Sequence, residues 1–189
     1  MRTLTLLVVA LALAAACGDP FGLPEAQVEN RVETVSLYAL SGTPVTQPSA
    51  YVIPFKQVVR TDQAITGFDF AFDIDTAGRA LLLPTGALRL GRGSGIRIDT
   101  MHFDSIKVAP TSNYQLDSAV AVDSGSVAIL HSRPQGCSFN PTAGFVFYAK
   151  LRVLAIDTTS GPNGRRIDFE ILADVNCGYR GLEPGVPRR

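Results

Sequence analysis

The 189-residue chain has no Trp, two Met, two His and three Cys. Two histidines and three cysteines leave little material for an elaborate metal or cofactor site, and no cofactor is expected. Charge of either sign is not in excess: 17 Lys and Arg stand against 17 Asp and Glu. A balanced chain exerts no long-range pull on a phosphate backbone, so nucleic acid is not an expected partner. Long hydrophobic runs are also missing. The longest, residues 4–16, is broken only by Thr5 and falls short of the roughly 20 apolar residues that span a bilayer. Nevertheless 46% of the residues are hydrophobic, enough to build one packed core and too many for a disordered chain.

Residues 1–16 have the form of an export signal. Arg2 is the only charged side chain before Asp19. An apolar stretch follows, and small residues end it. The stretch closes as Leu13-Ala14-Ala15-Ala16-Cys17-Gly18-Asp19. This resembles the lipobox of bacterial lipoproteins, with Ala14 where that family usually carries Leu. The resemblance covers about 20 residues and concerns processing. It implies cleavage before Cys17, a diacylglyceryl group on the Cys17 sulfur, and a membrane partner reached through that lipid. Gly18 follows the cysteine where Asp would favour inner-membrane retention, so the expected location is the cell envelope, at the outer rather than the inner membrane. Ordinary signal cleavage after Ala16 is the competing reading.

An odd number of cysteines in an exported chain calls for an explanation. With Cys17 lipidated, Cys137 and Cys177 remain to form a disulfide in an oxidising compartment. Two free thiols, or a zinc site with His131 as third ligand, are the alternatives; neither cysteine belongs to a C-x-x-C pair, and no metal is expected there.

Residues 17–26, rich in Pro and Gly, read as the lipidated cysteine and a flexible tether. Residues 27–177 read as strands. In 68–75, Phe68, Phe70, Phe72 and Ile74 alternate with Asp69, Asp73 and Asp75, which predicts one buried and one polar face. Further strands are expected over 28–39, 51–60, 79–83, 96–108, 119–122, 126–130, 145–156 and 165–176. The last two form a hairpin around a turn-rich loop at 158–164. Asp168, Glu170 and Asp174 of one strand are set to face Lys150 and Arg152 of the other. A second hairpin is expected around Asp123-Ser124-Gly125. Short strands punctuated by Gly, Pro, Asn and Asp predict an all-β fold: a single antiparallel β-sandwich, with a β-barrel as the alternative. The stretch from Thr66 to Asp73 and the late hairpin resemble, in strand style, the cohesin-type or immunoglobulin-like modules of bacterial surfaces. Residues 178–189 read as an irregular C-terminal tail.

Candidate chemistry is sparse. Asp69, Asp73 and Asp75 are a weak Ca²⁺ candidate, because hard cations take carboxylate oxygens; the alternative is a solvated strand face. Asp99 or Asp104 could orient His102 as a catalytic base, yet no G-x-S-x-G elbow accompanies it. The Gly-rich segment 91–95 lacks the Lys-Ser/Thr of a phosphate loop. Arg79, Arg89, Arg92 and Arg97 read as solubilising charges. Tyr38, Tyr51, Tyr114, Tyr148 and Tyr179 could line a groove for a glycan or peptide. The functional expectation is a non-catalytic binding, adhesion or assembly module with a protein or glycan ligand. An envelope hydrolase and a small-ligand carrier are the alternatives.

Overall fold

The computed structural model describes residues 22–63, 67–161 and 164–188. The chain is all-β. One five-stranded antiparallel sheet has the order β1-β12-β11-β8-β6, the other β3-β2-β4-β5-β7. The first holds β1 (Val32–Tyr38), β6 (Gly95–Asp99), β8 (Val127–His131), β11 (Tyr148–Asp157) and β12 (Arg166–Asp174). The second holds β2 (Ala50–Val52), β3 (Gln57–Val59), β4 (Phe70–Ile74), β5 (Ala80–Pro84) and β7 (Val120–Val122). The sheets pack face to face and stay open, giving the sandwich rather than the barrel. A separate hairpin, β9 (Gln135–Cys137) and β10 (Asn140–Phe145), lies at one end.

Period-two alternation builds the core between the sheets. On β12, Ile167, Phe169, Ile171 and Ala173 are buried inward, and on β11 Ala149, Leu151 and Val153 do the same. Phe169 meets Tyr51 and Phe70 of the facing sheet, with ring centroids 6.5 and 6.1 Å away. A bulge after Val153 sets two β11 residues against one on β12. The inserted residue reverses the parity, so that Ile156 rather than Ala155 packs on the core.

Each sheet also carries an apolar cluster on its outer face. Leu172, Val127 and Ile129 of the first sheet are covered by Phe103, Ile106, Ala109 and Leu182. Ala50, Val52, Ala71 and Leu83 of the second pack with Phe68 and, at the margin, Ala87 and Leu88. These second faces explain the departures from simple alternation. Phe68 does not share the face of Phe70 and Phe72. The expected strand 96–108 ends at Asp99, because the chain then leaves the sheet edge to lay Phe103, in a short 3-10 turn, over the outer face.

Two other expectations are corrected. The strand expected over 51–60 is a hairpin, β2–β3. Pro54 opens the turn, Lys56 adopts φ 50°, and the Lys56 amide donates to the Ile53 carbonyl. The turn at Asp123-Ser124-Gly125 joins no hairpin: β7 pairs with β5, whereas β8 pairs with β6 and β11, so the chain crosses between sheets there. The hairpin β11–β12 does form, in the register Leu151 opposite Ile171.

Candidate functional site

The signal segment, Cys17 and the first part of the tether lie outside the described residues. What is described is the place where the tether meets the domain. Leu23 lies against Gly178, where an added Cβ would come within 2.5 Å of the Leu23 side chain. The Tyr179 hydroxyl donates to the Pro24 carbonyl at 3.0 Å and accepts from the Ala26 amide at 3.1 Å. Asn176 accepts from the amides of Gln27 and Val28 and returns a bond to the Val28 carbonyl, each at 2.9 Å. Residues 23–28 are therefore docked on the domain. The C-terminal segment, without a strand of its own, is docked too: Asn30 exchanges backbone hydrogen bonds with Gly185 and sends its side-chain amide to the Gly181 carbonyl.

Cys137 and Cys177 form the disulfide, with Cα atoms 6.2 Å apart. It ties the β9–β10 hairpin to the segment that follows β12. Beside it lies a hollow of about 210 Å³ lined in part by Pro24, Val28, Phe139, Cys177 and Tyr179.

The three aspartates do not converge. Asp69 is fully buried, contrary to a solvated strand face. Its Oδ2 accepts from the Ile53 amide at 2.8 Å, and its Oδ1 accepts from the Arg133 amide at 2.9 Å and lies 3.3 Å from Arg133 Nε. Burial pushes this carboxyl above its ordinary range, against those amides and the guanidinium. Asp73 accepts from the amide and hydroxyl of Ser41. Asp75 caps its own turn, accepting from the Ala77 and Arg79 amides and pairing with the Arg79 guanidinium. Among the described residues no three His, Cys, Asp or Glu side chains gather as a metal site would require.

The histidines are apart as well. His102 is exposed and precedes the 3-10 turn without a side-chain cap bond, while Asp99 accepts from the Met101 amide. His131 is half-buried with Nδ1 3.0 Å from the Ser132 carbonyl and its ring edge-on to Tyr114 at 4.6 Å. A carbonyl only accepts, so the neutral ring carries its proton on Nδ1. Burial lowers its pKa. In the segment 91–95, Ser94 locks to Thr85 through their hydroxyls. Arg79, Arg92 and Arg97 pair with Asp75, Asp117 and Asp99. Of the tyrosines, Tyr51 is in the core, Tyr179 holds the tether, and Tyr114 and Tyr148 flank His131. They converge on no common groove.

Sequence reasoning missed Lys150. Arg152 does meet Glu170 at 2.8 Å as expected, but Lys150 is buried and points to no carboxylate. Its Nζ donates to the carbonyls of Phe103 and Ile106, at 2.7 and 2.9 Å, and stands 4.4 Å from the Phe103 ring centroid. It fastens the 3-10 turn to the outer face of the first sheet. The signal for it was a lysine inside the apolar run 145–156.

A larger hollow, about 650 Å³, opens at the surface between Lys107 and Val108 and the C-terminal residues Glu183, Val186 and Arg188. No protein-family model matches the chain, and no curated protein is similar to it in sequence.

Proposed function

We propose that this chain is a lipid-anchored protein of the bacterial cell envelope, held through Cys17, whose sandwich serves as a non-catalytic binding, adhesion or assembly module for a protein or glycan ligand. The observation that carries the reading is the Cys137–Cys177 bond. A structural disulfide belongs to an oxidising compartment, and this one uses two of the three cysteines. The third is the cysteine of the lipobox-like segment. The docked tether supports a short connection: only the segment between Cys17 and Gly22 separates the acylated sulfur from the described domain, a span of at most about 18 Å for a fully extended chain. One acyl chain alone holds a protein weakly, whereas the diacylglyceryl group expected here holds it durably.

The non-catalytic half of the reading is supported by the exposed, uncapped His102 and by His131 turned to a backbone carbonyl. Neither is oriented by a carboxylate among the described residues, as the base of a Ser-His-Asp triad is.

Mass spectrometry of the protein from bacterial membranes tests the anchor. The expected product begins at Cys17 and carries a diacylglyceryl group, and Cys17→Ser leaves the membrane fraction or accumulates with its leader attached. A soluble wild-type product with an intact leader and a bare thiol overturns it. Ester and peptide probes test the rest: no turnover is expected, and turnover that His102→Ala abolishes would establish a hydrolase instead.

A further inference from the structure

Exposed apolar side chains scattered singly carry no meaning on most proteins. Here several collect at one end of the sandwich, each from a different segment. Val28 belongs to the docked tether, Phe55 to the β2–β3 turn and Phe139 to the β9–β10 turn, and all three are exposed, Phe55 at 63%. Val28 and Phe139 line the same hollow beside the disulfide. The turn bearing Phe55 adjoins the tether, since Lys56 Nζ reaches the Glu29 carbonyl at 3.5 Å. Leu90, in the loop that follows β5, is exposed at this end too. It is the end at which the tether arrives from Cys17.

We propose that this end of the domain lies against the bilayer, with Phe55 and Phe139 entering the lipid headgroup layer and Val28 between them. The proposal rests on the reading of Cys17 as the lipid anchor. What selects a lipid surface over another occupant is the length of chain between anchor and domain. At most about 18 Å separates Gly22 from the acylated cysteine, so this end stays near the membrane in every orientation of the domain. Phe rings set in exposed turns suit the interface, where they enter the acyl boundary.

The chain has no Trp, so a single introduced indole reports its own surroundings. The mature chain from Cys17, with that sulfur as the only thiol outside the 137–177 bond, is coupled to maleimide-phosphatidylethanolamine in vesicles of phosphatidylcholine and phosphatidylglycerol. Phe139→Trp, Phe55→Trp and Val45→Trp are compared; Val45 is exposed in the β1–β2 loop at the other end. Brominated phosphatidylcholine is expected to quench the indoles at 139 and 55 at least about twofold more than the one at 45, with emission shifted to the blue. Equal quenching at all three positions, with coupling verified by mass, overturns the proposal. Val28→Trp supplies the same reading if either Phe variant fails to fold. Because coupling is chemical, this outcome is separate from the fate of the anchor. A bare Cys17 thiol in the protein from cells overturns the anchor and with it the placement at a cellular membrane, whereas equal quenching in coupled vesicles overturns the placement alone.

Discussion

The two ends of the sandwich are held together by different means. At the end where the tether docks, the joining groups come from far apart in sequence. Cys137 is bonded to Cys177, Asp69 to Arg133, Asn176 to Gln27 and Val28, and Asn30 to Gly181. At the other end most turns close on themselves: Asp75 caps Ala77 and Arg79, Asp123 and Ser126 close the β7–β8 turn, and Asp157 holds Thr159. Long-range exceptions include Arg165, donating to the carbonyls of Ser41 and Ile74 at 2.7 Å each, and Asp73, accepting from the amide and hydroxyl of Ser41. One end is thus sealed by tertiary contacts and a covalent bond, the other by local turn chemistry. Damage to the first should unfold the domain; damage to the second should stay local.

The largest effect is expected from opening the disulfide. In the chain-entropy model, a loop of about 40 residues is worth roughly 4 kcal/mol. Cys137→Ser with Cys177→Ser should lower the urea midpoint by a corresponding amount. A midpoint within error of the wild type would show that the hydrogen-bonded contacts hold this end alone.

Asp69→Ala comes next. It leaves the Ile53 and Arg133 amides and a partly buried guanidinium without their acceptor, at a cost of about 3 kcal/mol. Asp69→Asn should recover part of the loss, because its one carbonyl oxygen still accepts from one of the two amides. Equal losses for both variants would mean that the charge, not the acceptor geometry, is what the site needs. Asn176→Ala follows at about 2 kcal/mol, for the loss of the bonds to residues 27 and 28. It should also raise amide exchange in the tether before it raises exchange in β11 and β12. Gly78→Ala brings the comparison to the turn end. Gly78 has φ 79° with open space where a Cβ would go, so the cost is backbone strain alone, about 1 kcal/mol, with no change at the tether.

The same contrast decides what was legible in the sequence. Alternation along a single strand, such as β1 or the inner face of β12, and local turns such as 75–78 show themselves in a window of ten residues. Contacts between distant segments do not. Asp69 looked like a member of a solvated row because its position in the alternation is visible and its partner Arg133 is not. Lys150 looked like a strand's outward charge because nothing local shows that residues 103–106 fold back over that face. The β9–β10 hairpin hid behind Gly136, Pro141 and Gly144, which weaken any strand pattern. Phe55 fell inside the strand expected over 51–60 and Phe139 outside every expected strand; only the folded chain sets both in turns at the same end as the tether. The Cys137–Cys177 pair is the exception that arithmetic could reach, because three cysteines allow few arrangements.

The smallest expected effect is one of pH, and it too belongs to the tether end. Asp69 and Asp174, both buried there, have carboxyls raised by desolvation, and His131 has its imidazole lowered by desolvation. The signs oppose. A raised carboxyl binds its proton more firmly in the folded chain, so stability falls as pH rises from the ordinary value of 3.8 to the folded one. A lowered imidazole leaves the unfolded chain with more bound protons below 6.5, so stability rises with pH across that window and is lost beneath it. Bulk stability curves therefore mix two slopes, and His131→Gln removes one of them. Urea unfolding at about pH 5 and about pH 7.5 should show the wild type gaining more than the variant on going to the higher pH. An identical gain would mean that protonating His131 costs the fold nothing, and that its contact with the Ser132 carbonyl survives when both ring nitrogens carry protons.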